Sequence, residues 1–143
     1  MTLDECDRLI QSAMQEFGAA HAILCLYTGL RPDFCEPMVR DPIPSLQWPL
    51  ADLAAEFSKA KSINPTIEDG VLMLGRADVA APYRSTGWSY RLFPPAGSVA
   101  TVANKGSAFN SCLLMSRVER VDALYQLGGG QAWRFRQGLA SPL

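Results

Sequence analysis

A chain of 143 residues with 48% hydrophobic and 19% charged side chains is ordinary globular protein, too apolar for disorder and long enough to bury about two-thirds of its unfolded surface as one domain. The formal net charge of −1, with 13 basic residues offset by 14 acidic ones, leaves no basic footprint for nucleic acid. No apolar run approaches 18 residues, and Met1-Thr2-Leu3-Asp4-Glu5 is acidic where an export signal is basic, so a cytoplasmic location away from membranes is expected.

The first element is a helix over residues 3 to 17. Thr2 and Glu5 have capping-box spacing, Leu3, Cys6, Ile10, Met14 and Phe17 recur on one face, and Gly18 suits a left-handed C-terminal residue. The nearly continuous apolar run from Ala20 to Tyr27, ending at Thr28-Gly29, predicts a strand buried on both faces. Pro32, Pro37, Pro42 and Pro44 then limit the chain to a short edge strand near Glu36 to Arg40. A second helix is expected from Ser45 or Gln47 through Leu50, Leu53, Phe57 and Lys61, with Asp52 and Glu56 early and Lys59 and Lys61 late, as the helix dipole prefers.

Val71-Leu72-Met73-Leu74, Trp88 to Phe93 and Ser98 to Ala103 follow as three strands, the last two joined by a turn at Pro94-Pro95-Ala96-Gly97. From Asn110 to Leu127 the residues Leu114, Val118, Val121 and Tyr125 have helical spacing, which predicts an 18-residue amphipathic helix capped by Asn110 and terminated by Gly128-Gly129-Gly130. Gln131 to Gln137 alternates Trp133 and Phe135 with arginines, as an extra strand or an aromatic tail would, and residues 138 to 143 look frayed. The sum is a single α+β domain: a central antiparallel sheet of about five strands with three helices, in the order α-β-β-α-β-β-β-α, and a C-terminal extension over residues 128 to 143.

That order resembles the roadblock, or dynein light chain, family, whose architecture is related to profilin and to GAF and PAS sensor domains. The resemblance covers residues 2 to 127. It rests on the first helix running into Ala22 to Tyr27, the turn at Gly29, the second helix, the strand at Val71 to Leu74, the hairpin through Phe93 and Val99, and the Asn110 to Leu127 helix. The resemblance implies a non-enzymatic, regulatory protein-interaction module without a cofactor. It would act as a homodimer, pairing at an edge strand formed by Val71, Leu72, Met73 and Leu74, packing Leu53 and Phe57 of the second helix against their mates, and presenting the joint surface to another protein such as a small GTPase. Four consecutive apolar residues on a sheet edge would indeed need a cover, which a symmetric partner supplies.

The alternative is a GAF- or PAS-like sensor that binds a small molecule, and a third reading is an enzyme whose active site is not legible. Trp48, Trp88 and Trp133 with Tyr83, Tyr90 and Phe135 suit either a pocket lining or core filling. The loop containing Tyr83, Arg84, Ser85 and Trp88 is the candidate ligand or partner contact, weighed against a plain solvated connector. No catalytic or metal site is assigned. His21 is the only histidine and stands about 13 Å along an extended strand from Cys25, too far for a nucleophile pair. Glu68-Asp69 before Gly70 reads as a turn, and the glycine run lacks the Lys and Ser/Thr of a phosphate loop. The four cysteines have no CxxC spacing and read as free thiols.

Overall fold

A computed structural model describes residues 1–18, 20–96 and 102–143. Among these are three α-helices and seven strands: α1 (Leu3–Phe17), β1 (Ala22–Thr28), β2 (Cys35–Pro37), α2 (Leu53–Ile63), β3 (Val71–Arg76), β4 (Arg84–Leu92), α3 (Gly106–Met115), β5 (Val121–Gly128), β6 (Gln131–Arg136) and β7 (Leu139–Pro142). Short 3-10 turns at Leu50–Asp52 and Pro65–Glu68 bracket α2.

The strands form one open sheet in the order β2-β4-β3-β1-β5-β6-β7. Among the described strands only the β1–β3 pair is parallel, its crossover running through β2 and α2, and every other pair is antiparallel. The α+β class therefore holds, with two strands more than the sequence suggested.

The alternation of side chains along the strands divides the core into two layers. Leu24, Leu26, Leu72, Leu74, Trp88 and Tyr125 face α1 and α2, where Cys6, Ile10, Leu53 and Phe57 meet them. Cys25, Val71, Met73, Tyr90, Leu124 and Phe135 face α3 and its Phe109, Cys112, Leu113 and Met115. A strand with helices on both sides is apolar throughout, which is why β1 and β3 read as unbroken hydrophobic runs.

That same covering corrects the expected interface. Val71, Leu72, Met73 and Leu74 do not form an edge: β3 is hydrogen-bonded to β1 on one side and β4 on the other. Leu53 and Phe57 are also buried within the single chain, the Phe57 ring lying 5.0 Å from Phe17 and 6.1 Å from Trp88. None of the six is free to meet a mate. Among the described residues the sheet's edges are β2, where the short strand expected near Glu36 to Arg40 spans Cys35–Pro37, and β7.

Other expectations change as well. The second helix begins only at Leu53, after the 3-10 turn that follows Pro49. The long helix is instead α3, a turn and β5: Arg120 at φ 74° adopts a left-handed conformation that no helix can contain, and Asn110 lies inside α3, where its side chain bonds Val102 and the Gly106 carbonyl. The third strand falls chiefly on residues 98–101, which lie outside the described residues, as does Gly97 of the turn before it; Val102 and Ala103 are not in a strand.

The glycine run does not terminate a helix. Gly129 and Gly130, at φ 60° and 76°, form the two-residue loop of the β5–β6 hairpin, with Gly128 paired to Gln131. Gln137 and Gly138, at φ 50° and 78°, do the same for β6–β7, so residues expected to fray are an ordered strand. The four cysteines are free and buried.

Candidate functional site

A cleft of about 500 Å³ opens at the end of the sheet where β1 and β3 begin and β5 ends. Ala22 and Ile23 of β1 and Leu127 of β5 form its base. One side is the turn Glu68-Asp69-Gly70 that enters β3. The other side combines Gln131 and Trp133 of β6 with Lys105, Ala108 and Phe109 at the start of α3.

The acidic side is held by a local hydrogen-bond system. Asn64 accepts from the Thr66 amide (3.2 Å) and hydroxyl (2.6 Å), fixing the turn, and its own amide group donates to the carbonyls of Arg40 (2.9 Å) and Pro42 (3.1 Å), tying down the proline-rich segment. Gly70, at φ 82°, turns the chain into β3 where an added Cβ would come within 2.9 Å of the Ser89 and Tyr90 backbone. Glu68 accepts the His21 backbone N–H at 2.9 Å and lies 3.2 Å from Lys61 Nζ. The His21 amide first, and Lys61 beside it, hold the Glu68 carboxyl below its ordinary range. Asp69 is exposed next to it.

The opposite side is aromatic. Trp133 and Phe109 meet edge to face, centroids 5.3 Å apart, and Phe135 supports Phe109 from the core at 4.8 Å. Lys105 Nζ stands over both rings, 4.7 Å from the Trp133 centroid and 5.6 Å from that of Phe109, a cation–π arrangement that keeps the ammonium at the rim. Between the sides, the exposed His21 ring packs on Gly128, where a Cβ would overlap the imidazole. The Gln126 and Gln131 side chains bring amides, which both donate and accept.

The residues singled out from sequence lie elsewhere and are not brought together as a binding loop. They belong to β4 or the segment before it. Tyr83 is buried and donates to Asp122 at 2.6 Å; Ser85 is buried and accepts from the Trp48 amide at 3.2 Å; Trp88 is buried 5.6 Å from Trp48 and donates to the Ser45 carbonyl at 3.2 Å. Only Arg84 is exposed. It borders a second groove of about 370 Å³ at the far end of the sheet, with Gln47, Tyr27 and Thr86.

Of the six aromatics considered as a pocket lining, Trp48, Tyr83 and Trp88 fill the α1/α2 layer, Tyr90 and Phe135 the α3 layer, and Trp133 alone lines the large cleft. Burial raises the Cys25 thiol well above its ordinary pKa, with Cys35 and Cys112 nearby adding to the effect, so Cys25 is a core residue. Sequence reasoning missed Lys105, Phe109 and Trp133 as a group because they come from α3 and β6, joined only by the fold.

No family model and no curated protein matches this chain. Among solved structures it is similar to the crystal structure of a hypothetical membrane spanning protein from Bacillus cereus, at 12% identity and a TM-score of 0.61. The match covers 97% of this chain and 63% of that one, so the chain spans less than two-thirds of its neighbour's length. At that identity the likeness is one of fold. Among the described residues, no helix of this chain is long and apolar enough to cross a membrane.

Proposed function

We propose that this chain is a non-enzymatic, cytoplasmic regulatory domain that binds a small polar molecule in the cleft between the Glu68–Gly70 turn and Trp133. The observation that carries the reading is the composition of the cleft. An aromatic wall, two side-chain amides and charges of both signs at the rim surround about 500 Å³, within the range of small-molecule sites. These are groups that stack, donate and accept. They stand on strand ends and on the first turn of a helix, so the ligand would be read by a scaffold already in place.

A second reading is self-association, favoured by one observation. With β3 internal, Leu139 of the edge strand β7 is an exposed apolar residue, 72% accessible, and an open edge strand can add a second copy of itself. Partnership with another protein, a small GTPase included, would use the same edge.

The experiment is a thermal-shift screen of polar metabolites against the full chain, paired with light scattering. A ligand at one hundred times its Kd stabilises by about 2.7 kcal/mol, which for a domain of this size raises Tm by about 8 °C. Such a shift, abolished by Trp133→Ala, supports the cleft. A flat screen together with a dimeric mass that Leu139→Asp converts to monomer would replace it with the second reading.

A further inference from the structure

We propose that the cleft selects a zwitterion whose charges are separated by a short length of chain: a free di- or tripeptide bound by its ammonium at Asp69 and its carboxylate at Lys105. The inference rests on the cleft being a ligand site and adds the chemical class of the ligand.

Glu68 is occupied, by the His21 amide and by Lys61. Asp69 is not: among the described residues no cation lies within 4.0 Å of its carboxylate. Lys105 is likewise without a carboxylate at that distance, its ammonium resting on the faces of Trp133 and Phe109. One unanswered charge of each sign at the rim of one cleft is the complement of a ligand bearing both.

The topology then sets the separation. Asp69 leads into β3 and Lys105 stands over β6, with β1 and β5 between them. Three strand spacings amount to about 14 Å between backbones, reduced by the reach of two side chains. An amino acid, with both charges on one Cα, is too short to engage both ends. An extended di- or tripeptide spans about 7–10 Å. The Gln126 and Gln131 amides in the same cleft suit the donors and acceptors of peptide bonds, and the Trp133 and Phe109 rings suit an apolar side chain near the ligand's carboxyl end. Lys105 immediately precedes α3, so the first amides of that helix lie on the side where the carboxylate would sit.

The test is titration of the full chain with a panel of di- and tripeptides, among them alanyl-phenylalanine and alanyl-alanyl-phenylalanine, followed by Trp133 fluorescence. Trp133→Phe defines the background from Trp48 and Trp88. Free peptides should give a saturable change, and N-acetylation or C-amidation should each weaken binding about tenfold. The pattern across variants is specific: Asp69→Asn should bind free and acetylated peptide alike, and Lys105→Gln should bind free and amidated peptide alike. A structural role for either residue would leave the discrimination intact. Equal binding of free and doubly blocked peptide overturns the proposal, as does the absence of any saturable change with the panel. If uncharged metabolites move Trp133 while peptides do not, the cleft remains a ligand site and the peptide assignment fails; if nothing moves Trp133, both fail.

Discussion

Replacing Asp122 with alanine removes the acceptor at the centre of a cluster that ties four segments together at the end of the sheet opposite the cleft. Asp122, on β5, accepts from Thr28 of β1 at 2.5 Å and from Tyr83 at 2.6 Å, and lies 3.9 Å from the Arg76 guanidinium of β3. Arg76 in turn donates to Thr28 at 2.9 Å and to the Met1 carbonyl at 2.8 Å, and stacks 4.3 Å over Tyr83. Tyr83 is fully buried, so its hydroxyl would be left without an acceptor, at about 1–3 kcal/mol. Arg76 keeps three other acceptors, and Asp122 is partly accessible, so the lost ion pair adds little beyond about 1 kcal/mol. The total is about 3 kcal/mol, which corresponds to a fall in Tm of about 9 °C. Tyr83→Phe alone should cost about 1–2 kcal/mol, and the double variant should be clearly less destabilised than the sum, because the two share one hydrogen bond. Chemical denaturation of the four proteins gives the cycle. A loss under 0.5 kcal/mol for Asp122→Ala, or strict additivity with Tyr83→Phe, would refute the cluster's role.

The remaining predictions concern pH, the core and the cleft. Burial, and then donation to Asp122 and Asp7, raise the pKa of Tyr83 and Tyr125 above the ordinary value of 10.0. Their stabilising effect is therefore complete below pH 10 and is lost as the pH climbs toward the folded-state values; Tyr83→Phe should flatten that alkaline limb in denaturation curves taken across the range. Glu68 has the opposite sign: its lowered pKa stabilises above the ordinary carboxylate value and the effect vanishes as pH falls through the folded one. Glu68→Gln should accordingly cost less than about 1 kcal/mol at neutral pH, given its exposure, and match the parent in acid. Leu72→Asp should unfold the chain rather than divide a dimer, because it places an unpaired charge in a closed layer, and circular dichroism will distinguish the outcomes. Gly128→Ala should leave Tm within a few degrees yet swing the exposed His21 ring away from its seat, seen as a shift of the imidazole resonances.

Local signals were legible where one interaction decides the structure. The Thr2–Glu5 capping box forms with both bonds in place, at 2.6 and 3.2 Å, and α1 runs over the residues its apolar spacing marks. The buried runs at β1 and β3 were also readable as strands, but not their neighbours, because apolar length does not reveal whether a strand is covered by helices or by a partner. The failure at residues 110–127 has a different origin. Leu114, Val118, Val121 and Tyr125 satisfy a helical period, while Ala123, Tyr125 and Leu127 equally satisfy a strand period on one face of the sheet. Arg120 in the left-handed region separates the two, and nothing about an arginine announces that conformation. The Gly129-Gly130 pair was the available hairpin signal, and with it β6 and β7 follow as consecutive antiparallel strands. The cleft itself was illegible, since Asp69, Lys105 and Trp133 share no local pattern and are assembled only by the strand order.

The most direct test of the cleft is to map the binding of whichever compound gives the largest thermal shift, by amide and indole chemical shifts of the labelled chain. Trp48 and Trp88 both donate their indole N–H to the Ser45 carbonyl on the other side of the sheet, so the three indole signals report on separate places. Binding in the cleft should move the Trp133 indole and the amides of Ile23, Gly70, Gly128 and Gln131 together, with a common saturation. Movement centred instead on Arg84 and Thr86, or along β7, with Trp133 unchanged, would contradict it.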